Sequence, residues 1–295
     1  MNTQTNSQTR HKLYVLLEVL FVYALIQTLI VASRSIDLVQ REKQVLGWSY
    51  TVAFSCFVAI PAVVIWLARR SWAEYGVSLK GWRTNMDVGV KAFVVLIIPH
   101  AIGRGVPTFL GLSPQIRDVA IDICWVIAIA VMISVMIKHK PVASGRNNII
   151  LIVALLLIPI FLGLWMRKLS VVVVSTIIWQ FLLSGFGEEF AFRGYFQSRL
   201  NQAFGRPMRL FGIEFGAGLI VASLLFGLLH VFGAYDPAIG FASLGWGAFI
   251  GNTLAGFFLG IIREKTGTLL APSIAHGLPD ALGEPMMKIF GWVMY

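Results

Sequence analysis

Charge is scarce in this chain: Asp, Glu, Lys and Arg together make up 13% of its 295 residues, about half of what a soluble globular domain carries. With 57% hydrophobic residues and a mean hydropathy of +0.78, that scarcity excludes a soluble fold and predicts a membrane protein. Acidic residues are the rarer sign, 14 against 24 Lys and Arg, for a net charge of +10. In a soluble chain such an excess would point to nucleic acid. Here the basic residues flank apolar runs, as positive-inside loops do, and no nucleic-acid-binding signature is present, so the bilayer is the expected partner. The two cysteines, Cys56 and Cys124, sit inside apolar runs. They are too few for a disulfide framework or a cysteine-based zinc site and read as small packing hydrophobes. No internal repeat or low-complexity stretch stands out.

What is present is a series of apolar runs. They predict an all-α, polytopic helix bundle of about eight or nine spans, near 13–33, 46–68, 89–112, 119–137, 149–166, 169–200, 217–235, 245–262 and 267–293. The first run is long and lacks a clear cleavage site, so it reads as a retained span rather than a signal peptide. Residues 1–168 form an amino-terminal set of helices, with an interfacial segment near 70–88 where Trp72, Tyr75, Leu79 and Trp82 alternate with Arg70, Lys80 and Arg83. Residues 169–295 form the expected catalytic core. With nine spans, fourteen Lys and Arg fall on the amino-terminal side and seven on the other, which places the amino terminus in the cytosol of a multi-pass cell-membrane protein.

Most spans are nearly free of ionisable groups, but the sixth reads Gly187-Glu188-Glu189-Phe190-Ala191-Phe192-Arg193. Each charge at the bilayer centre costs ~2.5 to 3.5 kcal/mol on insertion scales, so this cluster demands a function. Glu189 and Arg193 stand at i and i+4 with the glutamate first, the favourable order for an ion pair. Glu188 is left over, and a carboxylate in a dry setting is a candidate general base. The seventh span carries Phe226-Gly-Leu-Leu-His230, and the ninth carries His276-Gly-Leu-Pro-Asp280 on one helix face. At 1.5 Å per residue, Glu188 and His230 lie about 18 to 20 Å from the cytosolic boundary, His276 about 13 to 14 Å and Asp280 about 20 Å. Four reactive groups from three helices therefore share a layer. Glu18, His100, Arg104, Asp118, Asp122 and Asn252 read instead as end-of-span charges, kink partners or interhelical contacts.

Glu188-Glu189-x-x-x-Arg193, Phe226-x-x-x-His230 and His276-x-x-x-Asp280, in this order and on separate spans, resemble the motif set of the type II CAAX prenyl proteases and their bacterial relatives. These are the CAAX-protease and bacteriocin-processing (CPBP) membrane peptidases. The resemblance covers about residues 169–285 and implies an intramembrane endopeptidase. In it, Glu188 and His230 activate a water while His276 and the residue at 280 support the tetrahedral oxyanion. Glu189, Arg193 and Phe226 are the supporting residues. The family pattern often has Asn in the last place. Asp280 when ionised cannot donate a hydrogen bond, so it either orients His276 or is protonated.

The residues themselves leave two mechanisms open. Without a cofactor, Glu188 takes a proton from water, His230 positions it and His276 donates to the oxyanion. Alternatively Glu188, His230 and His276 hold zinc, since two histidines and a glutamate are an accepted catalytic ligand set, although no His-Glu-x-x-His helix is present. The metal-free version is the one expected. The expected partner is a membrane-associated peptide or protein, with or without a lipid attached; the oligomeric state is not readable. The rival class is a membrane immunity or binding protein, or a small transporter, using the same fold without proteolysis.

Overall fold

A computed structural model describes residues 2–236 and 238–291; the last residues expected in the ninth span, 292–293, lie outside them. The structure is 81% helical, and its only sheet among the described residues is one small hairpin. The long helices are α1 (Asn2–Ala32), the amphipathic α2 (Asp37–Leu46), α3 (Tyr50–Leu67), α4 (Trp82–Phe109), α5 (Pro114–Lys138), α6 (Gly145–Trp165), α7 (Val171–Phe204), α8 (Ala217–Gly233), α9 (Phe249–Thr266) and α10 (Leu270–Phe290). Seven helices are long and apolar enough to cross a membrane; α8, at 17 residues, is a shorter apolar helix. Helix α10 interrupts its apolar character with Pro279, Pro285 and the polar residues described below.

Every expected span is thus mostly helical, but among the described residues seven rather than eight or nine are long and apolar enough to cross a membrane, α8 and α10 falling short; the departures in position have local causes. The third begins at Trp82 rather than near 89, so Trp82 and Arg83 open α4. Before it, Trp72–Tyr75 forms a single short helical turn, and Tyr75 points inward, fully buried against Tyr195. The turn between α6 and α7, only a few residues long, is made by Arg167 in a left-handed conformation with φ 57°. The Ser170 side chain then accepts from the Val173 N–H and caps α7. Between α7 and α8, strands β1 (Met208–Leu210) and β2 (Ile213–Phe215) pair antiparallel through Phe211 and Gly212, both at positive φ.

Two features fix the carboxy-terminal half. Helix α7 is wound as π-helix through Trp179–Glu188 and again through Phe190–Gln197, a winding often found at functional sites. Glu18 of α1 binds Arg70 through both oxygens at 2.6 and 3.0 Å, and also accepts from Arg199 and from the Tyr195 hydroxyl. Glu18 is therefore the polar tie between the first helix and the end of α7.

Candidate active site

Helices α7, α8, α9 and α10 bring the predicted residues together. Glu188 and Glu189 lie in α7 at 7% and 0% exposure, and Arg193 follows at 1%. Arg193 donates from Nη1 to Glu189 Oε1 at 2.7 Å, and from Nη2 to the Gly256 carbonyl of α9 at 3.1 Å. Its guanidinium also lies 4.4 Å from the centre of the Phe226 ring, so the buried cation meets a carboxylate, a carbonyl and a π face.

Both histidines have one ring nitrogen committed. His230, on α8, donates from Nδ1 to the Phe226 carbonyl one turn back, at 2.9 Å. His276, on α10, donates from Nδ1 to Glu189 Oε1, also at 2.9 Å. Since a carbonyl or carboxylate oxygen only accepts, these bonds put a proton on Nδ1 of each ring. The Nε2 atom of each remains for chemistry. For His276 that atom lies 3.8 Å from Asp280 Oδ2. The Phe226 ring stands between the two imidazoles, 4.8 Å from His230 and 5.7 Å from His276.

Glu188 and Glu189 each have an Oε2 buried without a hydrogen-bond partner among the described residues, but Glu189 is held through Oε1 by Arg193 and His276. Glu188 has no such anchor and sits within electrostatic reach of His276, Glu189, Asp280 and Arg193. An orphaned carboxylate oxygen in such a setting is costly to keep unless something external is meant to meet it.

The sequence motifs did not reveal three elements of this arrangement. Glu189 is shared by Arg193 and His276, so the expected ion pair is also the mount of a histidine. The Gly256 carbonyl belongs to a helix with no motif at all. The third is a glycine contact: a Cβ on Gly185 would come within 2.5 Å of the Gly277 Cα, and one on Gly277 within 2.9 Å of the Phe181 carbonyl. Small residues here let α7 and α10 touch backbone to backbone beside Glu188 and His276. Gly277→Val should force these helices apart and lift His276 off Glu189. Misplacement by about 1 Å costs about 10²-fold in rate, so turnover within a few-fold of the unaltered protein would show that this contact does not set the site.

Along its helix His230 keeps the expected spacing, about 20 Å from the start of α8 at Ala217 and about 5 Å from its end at Gly233. His276 lies about 9 Å from the start of α10 at Leu270 and about 21 Å from its end at Phe290.

These helices are also where the comparison with known families falls. Residues 170–282 match the model of the Type II CAAX prenyl endopeptidase Rce1-like family. This is the family expected from the motifs, and the matched stretch contains Glu188, Glu189, Arg193, Phe226, His230, His276 and Asp280. No curated protein and no solved structure matches the chain. The apolar helices mark a multi-pass membrane protein, and its segment 170–282 is similar to a family of membrane peptidases. Outside the segment, α1 to α6 frame it from the amino-terminal side.

Proposed function

We propose that the protein is an intramembrane endopeptidase that hydrolyses a peptide bond in a membrane-associated peptide or protein, with water activated by Glu188 and His230. The observation that carries this reading is the buried, unpartnered Oε2 of Glu188 beside two histidines whose Nδ1 atoms are already tied. Glu188 takes one proton from the water, and the lone pair on His230 Nε2 accepts a hydrogen bond from the other. The water oxygen adds to the scissile carbonyl carbon, and the carbonyl π pair moves to oxygen. His276 donates from Nε2 to that oxyanion. With Nδ1–H already given to Glu189, it does so in its doubly protonated form, beside the Glu189 carboxylate on one side and Asp280 on the other. Collapse of the tetrahedral intermediate breaks the C–N bond, and the proton held by Glu188 passes to the departing nitrogen. In this reading Asp280 sets the charge and orientation of His276, a role an acidic side chain can perform where an amide would donate directly.

In this reading the water is activated without metal. Among the described residues no three His, Cys, Asp or Glu side chains are grouped to hold an ion, while the Nδ1 bonds of His230 and His276 fit either case, because a ligating histidine commonly donates its other ring N–H to a carbonyl or carboxylate. Active, chelator-treated protein should therefore contain much less than one zinc per chain by elemental analysis, because a transition metal on three such ligands would be held tightly. Stoichiometric zinc whose removal kills activity and whose return restores it would make Glu188, His230 and His276 ligands instead.

The family match supports, as the substrate class of this reading, a peptide carried at the membrane, with a prenylated carboxy-terminal cysteine segment as the first candidate. The decisive test presents purified protein in proteoliposomes with matched prenylated and unprenylated reporter peptides and follows fragment release by mass spectrometry. Cleavage of the prenylated peptide supports the reading. Cleavage of neither, by folded protein, across a panel of membrane-anchored peptides would move the protein to the non-proteolytic binding or transport class.

A further inference from the structure

A reaction that consumes water inside a bilayer needs a route for that water, and one face of α10 carries the residues for it. His276, Asp280, Glu284 and Lys288 follow one another at steps of four, so they form a single stripe about 18 Å long. Along it the side chains open progressively. His276 is 12% exposed, Asp280 is 32% exposed, Glu284 is half-buried and Lys288 is exposed. Glu284 lies within electrostatic reach of Asp280, of Lys288 and of Arg104 from α4. Partly open carboxylates in the middle of a membrane helix cannot face lipid, because each charge there costs ~2.5 to 3.5 kcal/mol; they face protein or water.

The lower end of the stripe is placed by two contacts. The Lys288 ammonium lies 5.5 Å from the Trp48 ring, in the connection after the amphipathic α2. Arg34, just past α1, donates to the Gly233 carbonyl at the end of α8. The ends of α1, α8 and α10 and the α2 connection therefore share one membrane face, which is also the face nearest His230. The upper end of the stripe, His276 and Asp280, lies within electrostatic reach of Glu188, whose Oε2 has no hydrogen-bond partner among the described residues.

We infer that His276, Asp280, Glu284 and Lys288 line an aqueous path along which the hydrolytic water reaches Glu188 from the face where α8 and α10 end. The inference rests on the reading of Glu188 as the group that acts on water, but its test does not use cleavage. The unaltered protein in nanodiscs, with both faces open to solvent, is treated with a water-soluble carbodiimide and an amine, and modified carboxyls are mapped by peptide mass spectrometry. Glu284 should be modified. In a background with Cys56→Ala and Cys124→Ala, Glu284→Cys should react with an impermeant cationic thiol reagent at least about tenfold faster than Val153→Cys on the lipid side of α6. Only a hydrated thiol ionises to the reactive thiolate, and Val153 is 49% exposed on an apolar helix long enough to cross the membrane, where lipid is the expected neighbour. An unmodified Glu284 in the unaltered protein, or a Glu284→Cys variant that reacts no faster than the Val153→Cys control, would overturn the path. Either result would leave the assignment of Glu188 to be judged by cleavage alone.

Discussion

Glu188→Gln is expected to abolish peptide cleavage while leaving the protein folded and inserted. The substitution keeps the size of the side chain and removes only its ability to accept a proton from water, the step the proposed mechanism assigns to it. Because Oε2 has no hydrogen-bond partner among the described residues, no ion pair is broken, and thermal melting in detergent should change little. The histidines should follow at smaller cost. His230→Ala and His276→Ala each remove a group at the reacting centre, and losses of at least ~10²-fold are expected. Activity of Glu188→Gln within about tenfold of the unaltered protein, a range far below a general base's usual contribution, would end the assignment. Near-normal turnover by either alanine variant would remove that histidine from the site.

The sequence showed this site for a physical reason: in an apolar chain, any charge inside a span is expensive and so conspicuous. Glu188, Glu189 and Arg193 stood out by cost, and His230, His276 and Asp280 by sharing their depth. The i and i+4 spacing anticipated the pair of Glu189 with Arg193, and the helices lie where the apolar runs placed them. What the sequence could not show depends on contacts between helices that periodicity does not encode. The bond of Glu189 to His276 spans 87 residues of sequence, and the role of Gly256 is that of a backbone carbonyl any residue could supply. The close approach at Gly185 and Gly277 involves two glycines among 28, with nothing local to single them out. The π-winding of α7 was equally hidden, because it is set by how neighbouring helices seat Trp179 to Gln197.

Arg193→Ala is expected to destabilise the protein by about 3 to 5 kcal/mol, because it strands the fully buried Glu189 carboxylate without its cation. Arg193→Lys should recover only part of this loss. An ammonium cannot reproduce the planar fork that reaches Glu189 and the Gly256 carbonyl together while lying on Phe226. Stability alone, however, does not separate a strut from a working part of the site. The double variant Glu189→Leu with Arg193→Met does, since replacing both members of a buried pair with apolar groups is often neutral or stabilising for a fold. Melting in detergent should therefore return toward that of the unaltered protein. Cleavage should not return, because His276 has lost the carboxylate that holds its Nδ1 proton in the doubly protonated form needed at the oxyanion. Recovery of activity together with stability would make Glu189 and Arg193 a purely structural pair, and Asp280 alone would be left to orient His276.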